Sequence, residues 1–208
     1  VIPSRNSDRL AFGQIDDDIA YEELNAKTFV KRRKVKWIIT KYMDDLNPMF
    51  YQVKSNQHTI SSIDSYAPYI DRVVGTLFKK GDNTHFVLNI EQTDDINFED
   101  LKKLMDNINT LVRNINKELG FNENLDEFYI KINLQSKGAL ELIKSGKSLA
   151  VLAFLMFSAS CNSLDDVKDN ELKTLIQNNR KTIDTTNNVI DTMKVNASAL
   201  SKPFKHGN

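Results

Sequence analysis

The chain has 208 residues, enough for one domain of ordinary size with an appendage. Its 28 basic and 28 acidic residues give no net charge, which argues against a protein whose main task is to coat nucleic acid or an anionic membrane. One cysteine excludes an internal disulfide and a zinc site built from cysteines, and it favours a reducing, cytoplasmic setting. The richness in Asn, Lys, Ile and Asp is typical of an AT-rich bacterial or phage genome.

The N-terminal part of the chain predicts a polar arm followed by a hairpin. Residues 1–27 are polar and irregular, so we expect a weakly ordered arm there. Phe29 to Thr40 alternates apolar and polar residues, which predicts a strand. The turn signal Asn47-Pro48 follows, and Met49 to Val53 is then expected to return as a partner strand.

A concentrated basic cluster lies on this predicted strand. Alternate cations of a strand share a face and follow a phosphate backbone well, and a neighbouring indole can stack on a base. The competing interpretation is an edge strand that positive charge protects from pairing with other chains. The candidate nucleic-acid-binding residues are Lys31, Arg32, Arg33, Lys34, Lys36 and Trp37.

The middle of the chain predicts helix, strand, helix and strand in that order. Apolar residues spaced by three and four predict a helix that starts near Ala67 and ends at Gly81. His85–Ile90 alternates like a strand, and Asn97 suits the N-cap of the long amphipathic helix that follows. Phe128–Gln135 again alternates. This strand–helix–strand unit is long enough for a parallel crossover.

An uncharged segment from Ser148 to Cys161 allows three interpretations. A transmembrane helix needs about 20 apolar residues, and this segment is shorter and carries several polar residues in its second half. Lysines before an apolar run that ends in cysteine suggest a lipoprotein signal, but such signals lie at the N-terminus. We therefore expect a buried helix, central to the core of the domain.

The C-terminal segment carries a heptad pattern. Residues 165–196 predict an amphipathic helix, and residues 197–208 predict a flexible tail. Ile176, Ile183 and Ile190 lie seven residues apart, although polar Asn179 and Thr186 weaken the second seam. Either the helix lies on the domain with one face in solvent, or it self-associates as a coiled coil. The candidate self-association residues are Leu172, Ile176, Ile183, Ile190 and Met193.

Several sequence motifs resemble catalytic sites without completing them. Gly146-Lys147-Ser148 looks like the end of a phosphate-binding loop, but Glu141 stands where that loop needs its first glycine. Tyr42–Asp45 has the letters of a polymerase metal motif in a chain with too little sequence before it for a polymerase palm, so we interpret it as a turn. The histidines are too scattered for a metal cluster; they are His58, His85 and His206. We expect no cofactor and no metal, and the incomplete motifs favour a non-catalytic protein without excluding an enzyme.

Together these patterns predict an α+β fold. We expect a small mixed β-sheet with helices packed on one face, a central apolar helix at about 148–161 and an extended C-terminal helix, with the globular domain spanning 28–164. The leading hypothesis is a non-catalytic protein–protein interaction or assembly protein that self-associates or docks through its C-terminal helix. The first alternative is a nucleic-acid-binding accessory protein that uses the basic strand. The others are a membrane-associated component, which is the least favoured, and a hydrolase built from dispersed carboxylates.

Overall fold

The computed structural model divides the chain into two compact units, residues 1–74 and residues 75–208. The predicted C-terminal tail and Cys161 lie outside the residues that the structure describes. Those described residues are 1–16, 19–25, 30–54, 61–92, 94–133, 138–158 and 169–196.

The N-terminal unit is built on a small antiparallel sheet. Its strands are β1 (Ile2–Pro3), β2 (Arg9–Ile15), β3 (Tyr21–Glu22), β4 (Lys31–Arg32) and β5 (Val35–Tyr42). Its helices are α1 (Tyr51–Lys54) and α2 (Ala67–Val74), with 3-10 turns at Met43–Asp45, Pro48–Phe50 and Asp64–Tyr66. The main sheet has the order β1-β2-β5, and β3 pairs with β4 as a separate hairpin.

Strand β2 is the central strand of that sheet, in the segment where a weakly ordered arm was expected. It forms because Leu10 and Phe12 alternate with smaller or polar residues and are both buried. Phe12 meets Phe50 edge to face at 5.7 Å between ring centroids. Met43 and Leu46 complete this core, and apolar residues of α1 and α2 pack against it. The first 15 residues thus supply part of the core of the unit.

The second unit places three helices on one face of a five-stranded sheet. Its elements are β6 (Leu77–Lys80), β7 (Asn83–Ile90), α3 (Phe98–Glu118), β8 (Phe128–Asn133), β9 (Gly138–Ser145), α4 (Ser148–Ser158), α5 (Asn170–Thr192) and β10 (Val195–Asn196). The strand order is β10-β7-β9-β8, and β6 also pairs with β7. The α+β class is as predicted.

The two strands joined by α3 are parallel to each other but are not neighbours. β7 and β8 each pair antiparallel with β9, which lies between them. All pairs among the described strands are antiparallel. The strand order could not be predicted because β9 comes after β8 in the chain and inserts between the two earlier strands.

Helix α4 is buried, which confirms the prediction for the apolar segment over its described residues. Its side chains join the main core with Phe86 and Leu88 of β7 and with Leu140 and Leu142 of β9. The buried α4 residues are Ser148, Leu149, Leu152, Ala153, Leu155 and Met156, whereas Phe154 is 43% exposed. Within the described residues, no helix is both long enough and apolar enough to cross a bilayer.

Several predicted elements have different bounds or a different type. The amide oxygen of Asn97 accepts from the backbone N–H groups of Glu99 and Asp100 at 2.9 and 3.3 Å, so this cap is as predicted. Helix α2, however, ends at Val74, and Leu77–Lys80 form a strand that pairs with β7. Turn and helix, rather than a strand, occupy residues 48–54, because Asn47 caps a turn by accepting from the backbone N–H of Met49 at 3.0 Å.

Candidate interaction surface and buried polar clusters

The N-terminal sheet has one buried face and one exposed face. Leu10, Phe12 and Ile39 point into the core of the unit, so their neighbours along the strands point the other way. We call that second side the open face. Its residues, placed by alternation and register, are Ile2, Arg9, Ala11, Gly13, Ile15, Val35, Trp37, Thr40 and Tyr42.

Large apolar side chains are concentrated at the two ends of the open face. Ile15 and Trp37 are 55% and 56% exposed towards one end, and Tyr42 is 52% exposed at the other. Ile2, also 52% exposed, lies beside Ala11 in the row next to Tyr42. The small residues of the face are Ala11, which pairs with Thr40, and Gly13, which pairs with Trp37. Trp, Tyr and Arg are the residues that contribute most to binding energy in protein interfaces, and the open face carries one of each.

The neighbours of Gly13 on the open face leave no room for a side chain at that position. A Cβ atom there would lie 2.7 Å from Cγ1 of Val35 and 3.0 Å from Cε3 of Trp37. The pairing of β2 with β5 shifts register between Phe12 and Gly13, which marks a β-bulge. The indole therefore packs down over the glycine backbone while keeping more than half of its surface exposed.

The single cation of the open face is balanced. The guanidinium of Arg9 lies 4.4 Å from the ring centroid of Tyr42, and its Nε lies 3.5 Å from Asp8 Oδ2. The Ser4 hydroxyl donates to Asp8 Oδ1 at 2.6 Å, and this hydrogen bond is the main cause that holds the pKa of Asp8 below its ordinary value. The open face is consequently apolar and aromatic, without a strong field of either sign.

The six candidate nucleic-acid-binding residues are all exposed, but they do not form one surface. Lys31 and Arg32 lie on β4, whereas Lys36 and Trp37 lie on β5, so the single strand predicted across them is interrupted. Arg32 Nε is 2.9 Å from Glu23 Oε2. Lys36 pairs with a neighbour of Gly13 and so points away from the face that carries Trp37. Phosphate contact and stacking would fall on opposite sides of the sheet.

The heptad residues of α5 pack inside their own unit. Ile176, Ile183 and Met193 are buried in the main core, and Leu172 and Ile190 pack against it. The candidate self-association surface is thus covered by the domain itself. Of the two interpretations of the heptads, an amphipathic helix lying on the domain is the one observed.

Of the two polar residues in the second heptad seam, Asn179 binds across to α3. Asn114 Nδ2 donates to Asn179 Oδ1 at 2.6 Å, and Asn179 Nδ2 donates to Glu118 Oε1 at 2.9 Å. Thr186 is buried and donates to the Thr182 carbonyl oxygen at 2.6 Å. Thr186 is thus satisfied within α5, whereas Asn179, the other polar position of the seam, seats α5 on α3.

The Gly146-Lys147-Ser148 loop is occupied by a carboxylate of the same chain. Glu123 Oε2 accepts from Lys144 Nζ at 2.9 Å and from the Ser148 hydroxyl. The other carboxylate oxygen accepts from the backbone N–H groups of Lys147 and Ser148, at the N-terminus of α4. A Cβ at Gly146, where φ is +103°, would collide with the Glu123 carboxyl group.

The groups around Glu123 favour its ionised form. Burial raises the pKa of Glu123, but the hydrogen bonds from Lys144, Ser148 and the two backbone amides outweigh burial and bring the pKa below its ordinary value. Lys144 is only 1% exposed, so the ammonium and the carboxylate neutralise each other in the interior. The donors that a phosphate would need are already satisfied.

Glu141 stands where a phosphate-binding loop would have its first glycine, and its side chain binds a residue of β7. Its Oε1 lies 2.7 Å from His85 Nδ1, and both side chains are buried. The His85 ring stacks on Phe78 with centroids 4.9 Å apart. Within the described part of the chain, no three His, Cys, Asp or Glu side chains are grouped so as to hold a metal ion.

No family model, curated protein or solved structure matches this chain. Function must therefore be inferred from the surface and the buried clusters themselves.

The sequence-based predictions did not include the open-face residues that lie outside the basic cluster. A signal for them exists, because Leu10 and Phe12 alternate with small and polar residues within the supposed arm. Glu123 offered no such signal, since it lies 20 or more residues before the groups that it binds.

Proposed function

We propose that this protein is a non-catalytic interaction protein that holds a macromolecular partner on the open face of its N-terminal sheet. The observation that carries the proposal is the exposure of Trp37 and Tyr42 together with Ile2 and Ile15 on one sheet face. Solvent exposure of so much aromatic and aliphatic surface on one side of a sheet is typical of a binding site.

The polar clusters of the second unit support the non-catalytic part of this proposal. A general base or nucleophile must be able to reach a substrate, and Glu123 is instead fully engaged by Lys144 and Ser148. His85 and Glu141 face each other in the interior, with the imidazole stacked on a phenyl ring. Each cluster stabilises the fold by satisfying its own members.

Site-specific photo-crosslinking in cells that produce the protein tests the proposal. A photoreactive side chain replaces Ile15, which is exposed on the open face beside the intact Trp37. We expect a discrete crosslinked product whose yield falls about tenfold when Trp37→Ser is added, because an aromatic anchor contributes much of an interface's free energy. Circular dichroism establishes that the variant is folded.

The matched control places the same photoreactive group at Lys181, an exposed position on the outer side of α5. The Tyr42→Ser variant gives a second probe of the open face that leaves the Gly13 contact intact. A product at position 15 no stronger than at position 181, or one indifferent to both substitutions, would refute docking on this face.

A further inference from the structure

Strand β8 forms one edge of the sheet in the second unit. It pairs antiparallel with β9 from Phe128 to Asn133, and β9 separates it from the other described strands of that sheet. Within the described residues, its far side makes no backbone hydrogen bond. Because the backbone groups of successive residues point alternately to the two sides of an antiparallel strand, every second residue of β8 offers its N–H and C=O to a further strand.

β8 lacks the features that limit pairing at the other sheet edges. β5, the long edge strand of the N-terminal sheet, pairs with β2 through a register shift between Phe12 and Gly13, and such a bulge hinders further pairing. The remaining edge strands are short, since β6 has 4 residues and β1 and β10 have 2 each. β8 keeps one register over its 6 residues and carries a single charge, that of Lys131. A regular edge of this kind is suited to pair with another strand.

Apolar side chains reach the edge of the sheet on both faces of β8. Phe128 and Ile130 pack against the main core. Ile132 lies on the same face, because it pairs with the buried Leu140, yet it is 51% exposed. On the other face, Tyr129 is 60% exposed. The apolar layer of the core therefore runs to the edge of the sheet and is open to solvent there.

The geometry of an antiparallel pair limits how two copies of β8 can meet. Opposing residues either exchange hydrogen bonds or both point away, so identical strands pair only where the numbers of opposing residues have an even sum. A two-fold axis must therefore pass through a residue of β8. An axis at Ile130 would pair residues 128–132 of the two copies. An axis at Lys131 would set two ammonium groups directly opposite each other, which is destabilising, and an axis nearer either end would pair fewer residues.

The axis through the middle of β8 would bring complementary side chains together. Lys131 of each copy would lie opposite the Tyr129 ring of the other, and an ammonium group is attracted to an aromatic face. Glu127, which is exposed just before the strand, would be the diagonal neighbour of Lys131 in the other copy, within reach of its long side chain. On the core face, Ile132 would lie opposite Phe128 of the other copy and cover the apolar surface that each leaves open. The symmetry makes each contact twice.

We infer that two copies of the protein associate by antiparallel pairing of β8 with β8, on a two-fold axis at Ile130, and so join their sheets into one. The inference concerns the second unit and is independent of the partner proposed for the open face. A strand of 6 residues is about 20 Å long, and its pairing buries less than the about 800 Å² per partner of a standard complex. Backbone hydrogen bonds supply the affinity, and we expect a dissociation constant of about 10 to 100 μM.

Sedimentation of the full chain over a range of concentrations tests the inference. Between about 1 and 300 μM, a range that spans this constant, the mass should rise from 23.8 kDa towards twice that value. Tyr129→Lys should raise the dissociation constant about tenfold, because it sets two pairs of like charges opposite each other. Tyr129→Glu should retain the dimer, because the new carboxylate faces Lys131. Circular dichroism establishes that both variants are folded, as expected for so exposed a side chain.

Two control variants separate this edge from other exposed aromatic groups. Phe98→Ser, at a residue of α3 that is 73% exposed, and Trp37→Ser, on the open face, should both leave the dissociation constant unchanged. A chain that stays monomeric at the highest concentration overturns the inference, as does a dimer that Tyr129→Lys leaves intact. Equal weakening by Tyr129→Lys and Tyr129→Glu would rule out the axis at Ile130. A dimer that dissociates on Trp37→Ser would assign self-association to the open face instead.

Discussion

The indole of Trp37 lies across the backbone of Gly13, so close that a methyl group at position 13 would stand 3.0 Å from its Cε3 atom. The same methyl group would meet Val35 Cγ1 at 2.7 Å and the Lys36 carbonyl oxygen at 3.1 Å. A glycine under an aromatic ring on a strand lets the ring cover the backbone hydrogen bonds of the sheet. The shape of the open face therefore depends on the glycine beneath the indole as well as on the indole itself.

Gly13→Ala should destabilise the N-terminal unit by about 1 to 3 kcal/mol, the usual cost of overpacking. Trp37 is the only tryptophan of the chain, so its fluorescence during urea unfolding reports on this unit directly. In a Val35→Ala background the same substitution should cost less, because its closest contact is gone. Equal costs in the two backgrounds would show that the Val35 contact does not limit position 13.

The Asn114–Asn179–Glu118 network should contribute measurably to the seating of α5. Asn179→Ala removes a buried amide that binds both α3 residues, and the partners left unsatisfied should lower the free energy of unfolding by about 1 to 3 kcal/mol. Asn188→Ala, at an exposed position of the same helix, is the control and should change it by less than about 0.5 kcal/mol. Denaturant titration followed by circular dichroism measures both.

Substitution in the heptad face should affect stability and not molecular mass. Ile183 is buried in the main core, so Ile183→Ala should destabilise the second unit by about 2 to 5 kcal/mol. Sedimentation should give the same mass for this variant and for the unmodified chain under native conditions. A change from oligomer to monomer on substitution would restore the coiled-coil interpretation.

Removing the charge of Glu123 should leave an uncompensated ammonium in the interior. Glu123→Gln keeps the size of the side chain but strips Lys144, which is 1% exposed, of its counter-ion. We expect a loss of about 3 kcal/mol in the free energy of unfolding at neutral pH. Glu127→Gln, at an exposed position four residues later, is the matched control. A similar small effect for both would contradict a structural role for this pair.

The contribution of Glu123 should also depend on pH in a defined direction. Its pKa in the folded chain lies below the ordinary value of 4.5, so its charged form stabilises the fold above pH 4.5. That contribution is lost as the pH falls from 4.5 through the lower folded pKa. The stability difference between the unmodified chain and Glu123→Gln should therefore shrink on acidification, as measured by urea titrations at a series of pH values. A difference that is constant down to full acid unfolding would contradict this assignment.

Local sequence patterns correctly predicted the features that depend only on residues close together in the chain. Asn97 caps α3 because the interaction lies within three residues, and α4 is buried because a run of apolar residues has few other places to go. The same local patterns gave the wrong type for residues 49–53. Their apolar residues suit a strand, but Asn47 and Pro48 start a turn that leads into a helix.

Long-range relationships were not available from local patterns. Nothing near Glu123 indicates that its carboxylate meets Lys144 and Ser148, because that meeting depends on how α3, β9 and α4 pack. The buried role of β2 was hidden by the polar residues around Leu10 and Phe12. The interruption between β4 and β5 separated a basic cluster that the sequence presents as continuous.

A free anion could bind the Gly-Lys-Ser loop only by displacing the Glu123 carboxylate, which already occupies its donors. A tethered group acts at an effective concentration of about millimolar or more, and this one brings its oxygens to four donors at once. A phosphate in solution would have to outcompete a ligand that never diffuses away. Access of an external anion to these donors therefore requires displacement of Glu123, a residue that lies outside the Gly-Lys-Ser sequence itself.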